Sequence, residues 1–476
     1  MKPMLEVLSQ QDIAEIHAAT IEVLETVGVE FQHEEALKIF KDKGARVEGQ
    51  RVFIHSSMLG KALKLAPARF LLEARDSDKS LWIGENESVY APPAGCVHIQ
   101  ELGNLRREAV LQDYLNLVRI VQQSPYYGTN GGGLVTPGSQ SFRSESEKFA
   151  WMVLAGHWFS DKPQMGFTFS GEIAQISLDL SRIVFQGKPG YHVLGTINPD
   201  SPLAFSSDMV ESLILYARSG QPLIVAPCSM AMATSPATLA GTLVQNNSEV
   251  LAGVVLIQLV NPGNPVVYGN TSTIADMSTM AIALGAPELS LLISSTAQLA
   301  RYYELPSRTG GALTDAKTPD IQAGMESMLS LFTTTLSQAS IVMHAAGILD
   351  SFLTLSYEKL ILDEEAGGMA CRYRQGIAVN SDTLAVEAIK ETGPGGHFLD
   401  KVHTMEHFRR EFWRPLLSDR QPYQPDKEYR NQQLESAKLI WQERINSYQR
   451  PVLSSAVEKA LLEFYWSKFG SVPVLI

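Results

Sequence analysis

Cysteine is scarce in this chain of 476 residues: Cys96, Cys228 and Cys371 lie far apart, and no CxxC pair occurs. That excludes a disulfide framework and leaves no zinc site evident from sequence. A reduced, cytoplasmic setting is the expected home. Positive charge is also short. A net charge of −12 argues against a nucleic-acid binder, because phosphate binding needs concentrated Lys and Arg. Cationic ligands are acceptable to such a protein. Long apolar runs are missing too. The run "VLAGVVLIQLV" (250–260) is too short to cross a bilayer, and "MKPMLEVLSQQDIAEIHAAT" has no signal-peptide apolar region. Neither nucleic acid nor membrane is an expected partner. No block is of low complexity, and no linker cuts the chain cleanly. GxGxxG opening a helix and the GK[ST] of a P-loop are both absent.

What is present is ordinary globular composition, 45% hydrophobic and 19% charged, in a length that can bury a large core. Helical apolar spacing runs from Ser9, in N-cap position, to Gly28. "RVFI", "RFLLEAR" and "LWIG" read as short strands, and "VHIQELGNLRREAV" as a hairpin turning at Leu102-Gly103-Asn104. From residue 126 the pattern becomes regular. Strand-like segments "YYGTNGGGLV", "PQMGFTFS", "GYHVLGTINP", "PLIVAPCSM", "PVVYGNTST", "LPSRTGG" and "SIVMHAAG" start roughly 27–43 residues apart, the cadence of βα units.

With "SVYAPPAG" (88–95) as an eighth strand, the pattern predicts an α/β protein built on a (β/α)₈ TIM barrel. Residues 1–87 form an N-terminal α+β extension in this reading, and 88–356 the barrel. Residues 357–476 form a mostly helical C-terminal extension, with two helices broken at Pro451. An open doubly wound sheet is the fallback.

A barrel places function at the C-terminal strand ends. Those ends carry Asn130 with Gly131, Gly132 and Gly133, Phe167 and Phe169, Asn198, Ser229, Tyr268 with Asn270, Arg308, and His344. No carboxylate dyad and no Ser–His–Asp order stands out, so the mouth reads as polar, aromatic and metal-free. Several residues have two readings. The glycines serve close approach of a ligand or tight loop packing. Arg308 faces either a bound carboxylate or a structural Asp or Glu. His344 is a functional group or a hydrogen-bonded core residue. Tyr268 and Asn270 share strand parity, so they face the mouth together or pack together. In "SRTGGALTDAKTPDIQAGMES" (307–327), Asp315 and Asp320 fit turn or helix-start roles, and Lys317 a solvated one. The basic "HFRREFWRP" (407–415) is a partner site or an exposed helix face.

"IHAATIEVLETVGVEF", "GGGLVTP", "TDAKTPDIQAGMES" and "SYEKLILDEE" resemble, in order, segments of the trimethylamine methyltransferase family. The resemblance implies a (β/α)₈ barrel whose mouth is capped by a separate corrinoid protein, the Co(I) of which takes a methyl group. Trimethylamine-specific members carry pyrrolysine in the mouth, whereas this chain has standard residues only. It therefore looks like the branch acting on quaternary amines in one-carbon metabolism of the methanogenic or acetogenic type. Glycine betaine is the expected substrate, with proline betaine, carnitine or γ-butyrobetaine as alternatives.

On that resemblance, Tyr90, Phe167 and Tyr268 are candidate aromatic faces for the ammonium head. Arg308 and His344 would face the carboxylate, and Asn270 would also contact the substrate. Gly131, Gly132, Gly133 and Asp315 would face the corrinoid. No acid–base residue is needed, no cofactor is held tightly by this chain, and a homo-oligomer is expected. The rival readings are a metal-dependent lyase or hydrolase on the same barrel, and a non-catalytic betaine binder.

Overall fold

Short runs of Val, Ile and small residues between 89 and 343 form seven strands: β1 (Val89–Tyr90), β2 (Gln164–Met165), β3 (Val193–Ile197), β4 (Leu223–Val225), β5 (Val266–Gly269), β6 (Ser307–Gly310) and β7 (Ile341–Met343). The computed structural model describes residues 3–84, 88–103, 105–426, 428–429 and 431–475, without the side chain of Gln140. The seven strands make one sheet in the order β1-β7-β6-β5-β4-β3-β2, every neighbouring pair parallel. Their near-continuous burial is what a parallel sheet covered by helices requires.

The strand expected over 126–135 does not form. Its glycines are the reason: Gly131 and Gly132 sit at φ +76° and +61°, which breaks the extended repeat. The segment still reaches both edges of the sheet. The Gly128 N–H donates to the β1 carbonyl of Tyr90 (2.9 Å), and the Asn130 N–H donates to Pro163 O, next to β2 (3.1 Å).

Most of the helices that alternate with these segments have a start written in the sequence. Ser144, Ser170, Thr238, Asp320 and Ser356 sit at N-caps and accept backbone N–H bonds from the first turn. Pro287 opens the helix Pro287–Tyr302. The run 250–260 is the second half of a 22-residue helix, Leu239–Val260. By length and composition that helix could span a bilayer, but 83% of its apolar window is buried in the fold. The N-terminal helix Gln10–Glu22 covers it, and Asn247 donates to Thr20 Oγ1 and Tyr303 Oη (2.9 and 2.7 Å).

The N-terminal helix begins at Ser9 with a reciprocal capping box to Asp12. A π-helical turn (Val23–Val27) then runs to Gly28 at φ +74°. Strands Arg51–Phe53, Phe70–Leu72 and Leu81–Ile83 form where the β-branched and aromatic runs lie. Val29–Phe31 pairs in parallel with Ala204–Phe205 from the loop after β3, and Phe31 stacks on Phe205 at 4.8 Å. The extension is thereby fixed to the sheet unit. The hairpin His98–Gln100/Arg107–Glu108 forms; the Asn104 of its turn lies outside the described residues.

"SYEKLILDEE" anchors the C-terminal part. On the helix Tyr357–Gln375, Glu358 accepts from Trp441 Nε1 (3.1 Å), and Glu364 takes both Arg444 Nη groups (2.8 Å each). Glu365 accepts from the N–H groups of Leu416 and Ser418 (2.6 and 3.1 Å). Lys359 pairs with Asp363 inside (2.5 Å). Pro451 separates the helices Gln432–Asn446 and Ser455–Phe469.

A Cβ at Gly132 would lie 2.2 Å from Met165 O of β2, in a left-handed backbone conformation. Gly187 shares the conformation (φ +67°) but has open space around it. Gly132→Ala is expected to cost at least ~2 kcal/mol in urea unfolding and clearly more than Gly187→Ala, because only the former adds a clash to the strain. Equal costs would contradict this packing.

Candidate active site

Arg308 occupies the second position of β6 and is 3% exposed. Its Nη1 donates to Asn270 O (3.0 Å) and to Thr271 Oγ1, and its Nη2 lies 3.3 Å from His344 Nε2. Among the described residues its Nε has no hydrogen-bond partner. Among the described residues no carboxylate pairs with it. Burial pushes the guanidinium down to about 10, against a small opposing influence of the Cys228 thiol. A buried cation without a counter-ion is costly by several kcal/mol and calls for an anion.

His344 stands beside it, just after β7, in a left-handed backbone conformation (φ +55°). Burial first, and then the Arg308 charge, push its pKa well below the usual imidazole value, so the ring is neutral. A neutral imidazole has one acceptor nitrogen. Two N–H groups aim at this ring, those of Ala94 at Nδ1 (3.3 Å) and Arg308 at Nε2. One donor is therefore left without an acceptor, which adds to the site's appetite for an anionic ligand.

Both residues line a cavity of about 330 Å³ at the C-terminal ends of the strands. Its walls include Phe149, Phe167, Phe169 and Phe352, with Met165 and Met343 as further apolar surface. Phe149 lies 4.8 Å, centroid to centroid, from both Phe167 and Phe169, and Phe352 packs on His344 at 4.7 Å. Phe169 is 53% exposed at the opening. Thr168, Thr196, Asn198, Cys228 and Thr271 are the remaining polar lining on the strand ends. The Asn198 amide is held by Ala226 O (2.6 Å). The cavity thus combines one unneutralised cation with an aromatic wall.

Of the residues expected at the mouth, Arg308, His344, Phe167, Phe169, Asn198, Gly131 and Gly133 line this cavity together. Tyr268 and Asn270 do face the same way, but toward the helices. The Tyr268 hydroxyl donates to Asn247 Oδ1 (2.9 Å), and the Asn270 amide donates to Thr296 Oγ1 (3.0 Å). Asn270 serves the site only through its backbone carbonyl. Tyr90 also turns into the helical layer, where its hydroxyl meets Thr335 Oγ1 (2.8 Å) and Cys371 Sγ (3.2 Å). Gly132 packs on the β2 backbone.

Asp315 joins three rim loops, accepting from the N–H groups of Leu284 and Gly285 (2.8 and 2.9 Å) and from Ser351 Oγ (2.6 Å). Lys317 pairs with Asp350 (2.9 Å), and Asp320 caps the helix Ile321–Leu336. Phe149 and Phe352 escaped sequence reasoning, since one lies on a helix and the other in the loop after β7. Phe169 was readable, two positions beyond Phe167.

Residues 1–472 match the model of the trimethylamine methyltransferase (MTTB) family. The chain is 38% identical over 466 residues to a glycine betaine methyltransferase of Desulfitobacterium hafniense (strain Y51), covering 97% of each chain. It is 34% identical over 481 residues to a proline betaine:corrinoid methyltransferase of Eubacterium limosum, covering 96% of each. Its fold is similar to that of the monomethylamine methyltransferase MtmB of Methanosarcina barkeri, with a TM-score of 0.52 at 9% identity over 80% of this chain and 78% of that one. The chain belongs to the trimethylamine methyltransferase (MTTB) family.

Proposed function

We propose that this protein moves a methyl group from a quaternary amine, glycine betaine first, to the Co(I) centre of a corrinoid carried by a separate protein, releasing a tertiary amine such as dimethylglycine. The observation that carries the reading is the unpaired Arg308 cation sharing one cavity with an aromatic wall. Its relatives' names, glycine betaine methyltransferase and proline betaine:corrinoid methyltransferase, support the same reaction. A cavity of about 330 Å³ sits at the small end of ligand pockets and suits a small zwitterion.

The Arg308 guanidinium pairs with the betaine carboxylate through its free donors. Neutral His344 stays beside it without adding a second charge. Phe167, Phe169 and Phe149 offer π faces to the trimethylammonium group, strongest where water is excluded. The amine departs neutral, so no proton has to be delivered. The chain's task is to desolvate the cation and aim one methyl outward, catalysis by proximity and orientation. The corrinoid is the methyl acceptor, presented at the mouth near Gly131, Gly133 and Phe169. The Asp315 carboxylate is occupied by rim loops, so it shapes the mouth from within.

The barrel in this reading spans 88–356, the segment 126–130 filling the gap between β1 and β2 and the helix Tyr357–Gln375 serving as the eighth helix. Residues 1–87 and the remainder of 357–476 flank it.

Anaerobic mixing of the protein with cob(I)alamin or a cognate corrinoid protein tests the reaction. Loss of Co(I) absorbance is expected with one of glycine betaine, proline betaine, carnitine and γ-butyrobetaine, and none with trimethylamine. Silence across that panel with the cognate partner would reject the proposal. Arg308→Ala should raise KM for the carboxylated substrate by roughly 30-fold or more, the cost of losing one partner of a buried charge pair, and should affect choline far less. Equal effects on both would remove Arg308 from carboxylate recognition. Because the His344 pKa is lowered, the ring carries no proton that could leave near neutrality, and KM should stay flat from about pH 6 to 8. A step in KM within that window, abolished by His344→Asn, would contradict a neutral ring.

A further inference from the structure

Between Gly376 and Asp426 the chain has little core of its own. The helices Val386–Thr392 and Val402–Glu411 contain no buried residue, and Val402 is 71% exposed. Helices this short are not stable alone in water. Segments without a core are held by cross-links, and a bound metal is one such device.

A group of metal-ligating side chains sits where such a link would act. His403 and His407 are four residues apart on the helix Val402–Glu411, which puts both imidazoles on one face. Their rings stack at 4.2 Å, tilted by 27°. Asp382, from the turn over 380–385, meets them. His407 Nε2 is 3.2 Å from Asp382 Oδ2, and His403 Nε2 is 3.1 Å from the Asp382 carbonyl oxygen. One ligand atom from each of the three residues lies within 4.8 Å of the other two. The turn is built to present Asp382: Asn380 Oδ1 accepts from the N–H groups of Asp382 and Thr383 (3.0 and 2.9 Å).

An ordinary ion pair explains only part of this. A half-exposed His–Asp pair is worth little, and two protonated imidazoles at this separation repel. Two imidazole nitrogens and a carboxylate oxygen within 4.8 Å of one another can satisfy a cation instead. Ligand atoms around a tetrahedral zinc ion are about 3.4 Å apart, close to the His407–Asp382 separation.

We propose that Asp382, His403 and His407 form a binding site for a divalent transition-metal ion, Zn²⁺ in particular. The ion clips the 380–385 turn to the helix Val402–Glu411, with water at the fourth position. The ligand set of two imidazoles and one carboxylate excludes Mg²⁺ and Ca²⁺ as preferred occupants, since those take oxygen ligands. None of the three residues lines the cavity of Arg308, so the site is separate from the methyl-transfer chemistry.

The test uses the untagged full-length protein, stripped with EDTA and titrated with Zn²⁺ in a calorimeter, with Co²⁺ as a spectroscopic probe. One equivalent of Zn²⁺ should bind, Co²⁺ should give four-coordinate visible bands, and Zn²⁺ should slow tryptic cleavage at Lys390 and Lys401. His407→Ala and Asp382→Asn should each weaken binding by more than about tenfold. His397→Ala, which removes an exposed His–Asp pair in the same segment, should leave binding unchanged. Absence of saturable Zn²⁺ binding by the wild-type chain would overturn the proposal, whatever the variants do. So would undiminished binding by His403→Ala/His407→Ala.

Discussion

An arginine side chain buried without an acid partner sets the terms for the rest of this molecule. Arg308 is held by a backbone carbonyl, a hydroxyl and a neutral imidazole, none of which cancels its charge. Such a group is tolerated only where the surrounding scaffold is firm enough to carry the cost. The sheet supplies that firmness. β6 lies between β5 and β7, so Arg308 rests in the middle of the parallel array, not at an edge.

The scaffold is tightened by carboxylates directed at backbone. Asp315 gathers the loops after β5, β6 and β7 into one rim, and Glu326 accepts from the Asp315 N–H (2.9 Å) behind it. On the helix Tyr357–Gln375, Glu358 and Glu364 hold the helix Gln432–Asn446, and Glu365 holds the loop at 416–418. These carboxylates are structural, and the negative net charge says less about ligands than its size implies. The one charge that says most about a ligand is positive.

Periodicity made the scaffold legible. Alternating βα units, Ser and Asp caps, the Pro451 break and the short N-terminal strands all appear where pattern and propensity put them. The stretch 126–135 escaped because its apolar flanks read as strand while its glycines select positive φ. Residues of the candidate cavity were legible where a single charge stands out, as with Arg308. Parity correctly grouped Tyr268 with Asn270 but could not give their direction, since both faces of a parallel strand are buried. Phe149 arrives from a helix, and no linear pattern links it to a strand end. The His403–His407 spacing is visible in sequence, whereas the approach of Asp382 from a turn 21 residues upstream of His403 is a tertiary event.

The seam along residues 126–130 has a dynamic consequence. Elsewhere neighbouring strands share ladders of hydrogen bonds, whereas this segment has one backbone bond from Gly128 on one side and one from Asn130 on the other, with side chains supplying the rest. Local opening follows the least protected path. The wall that carries Gly131 and Gly133 is held instead from outside the ladder, by Tyr114 Oη on Gly132 O (2.5 Å) and by the Gly95 N–H on Gly133 O (2.9 Å). Residues 94–95 tie that wall to the charged pole, since the Gly95 N–H holds Gly133 O while the Ala94 N–H meets His344 Nδ1, so a shift on the glycine side is passed to the ring beside Arg308.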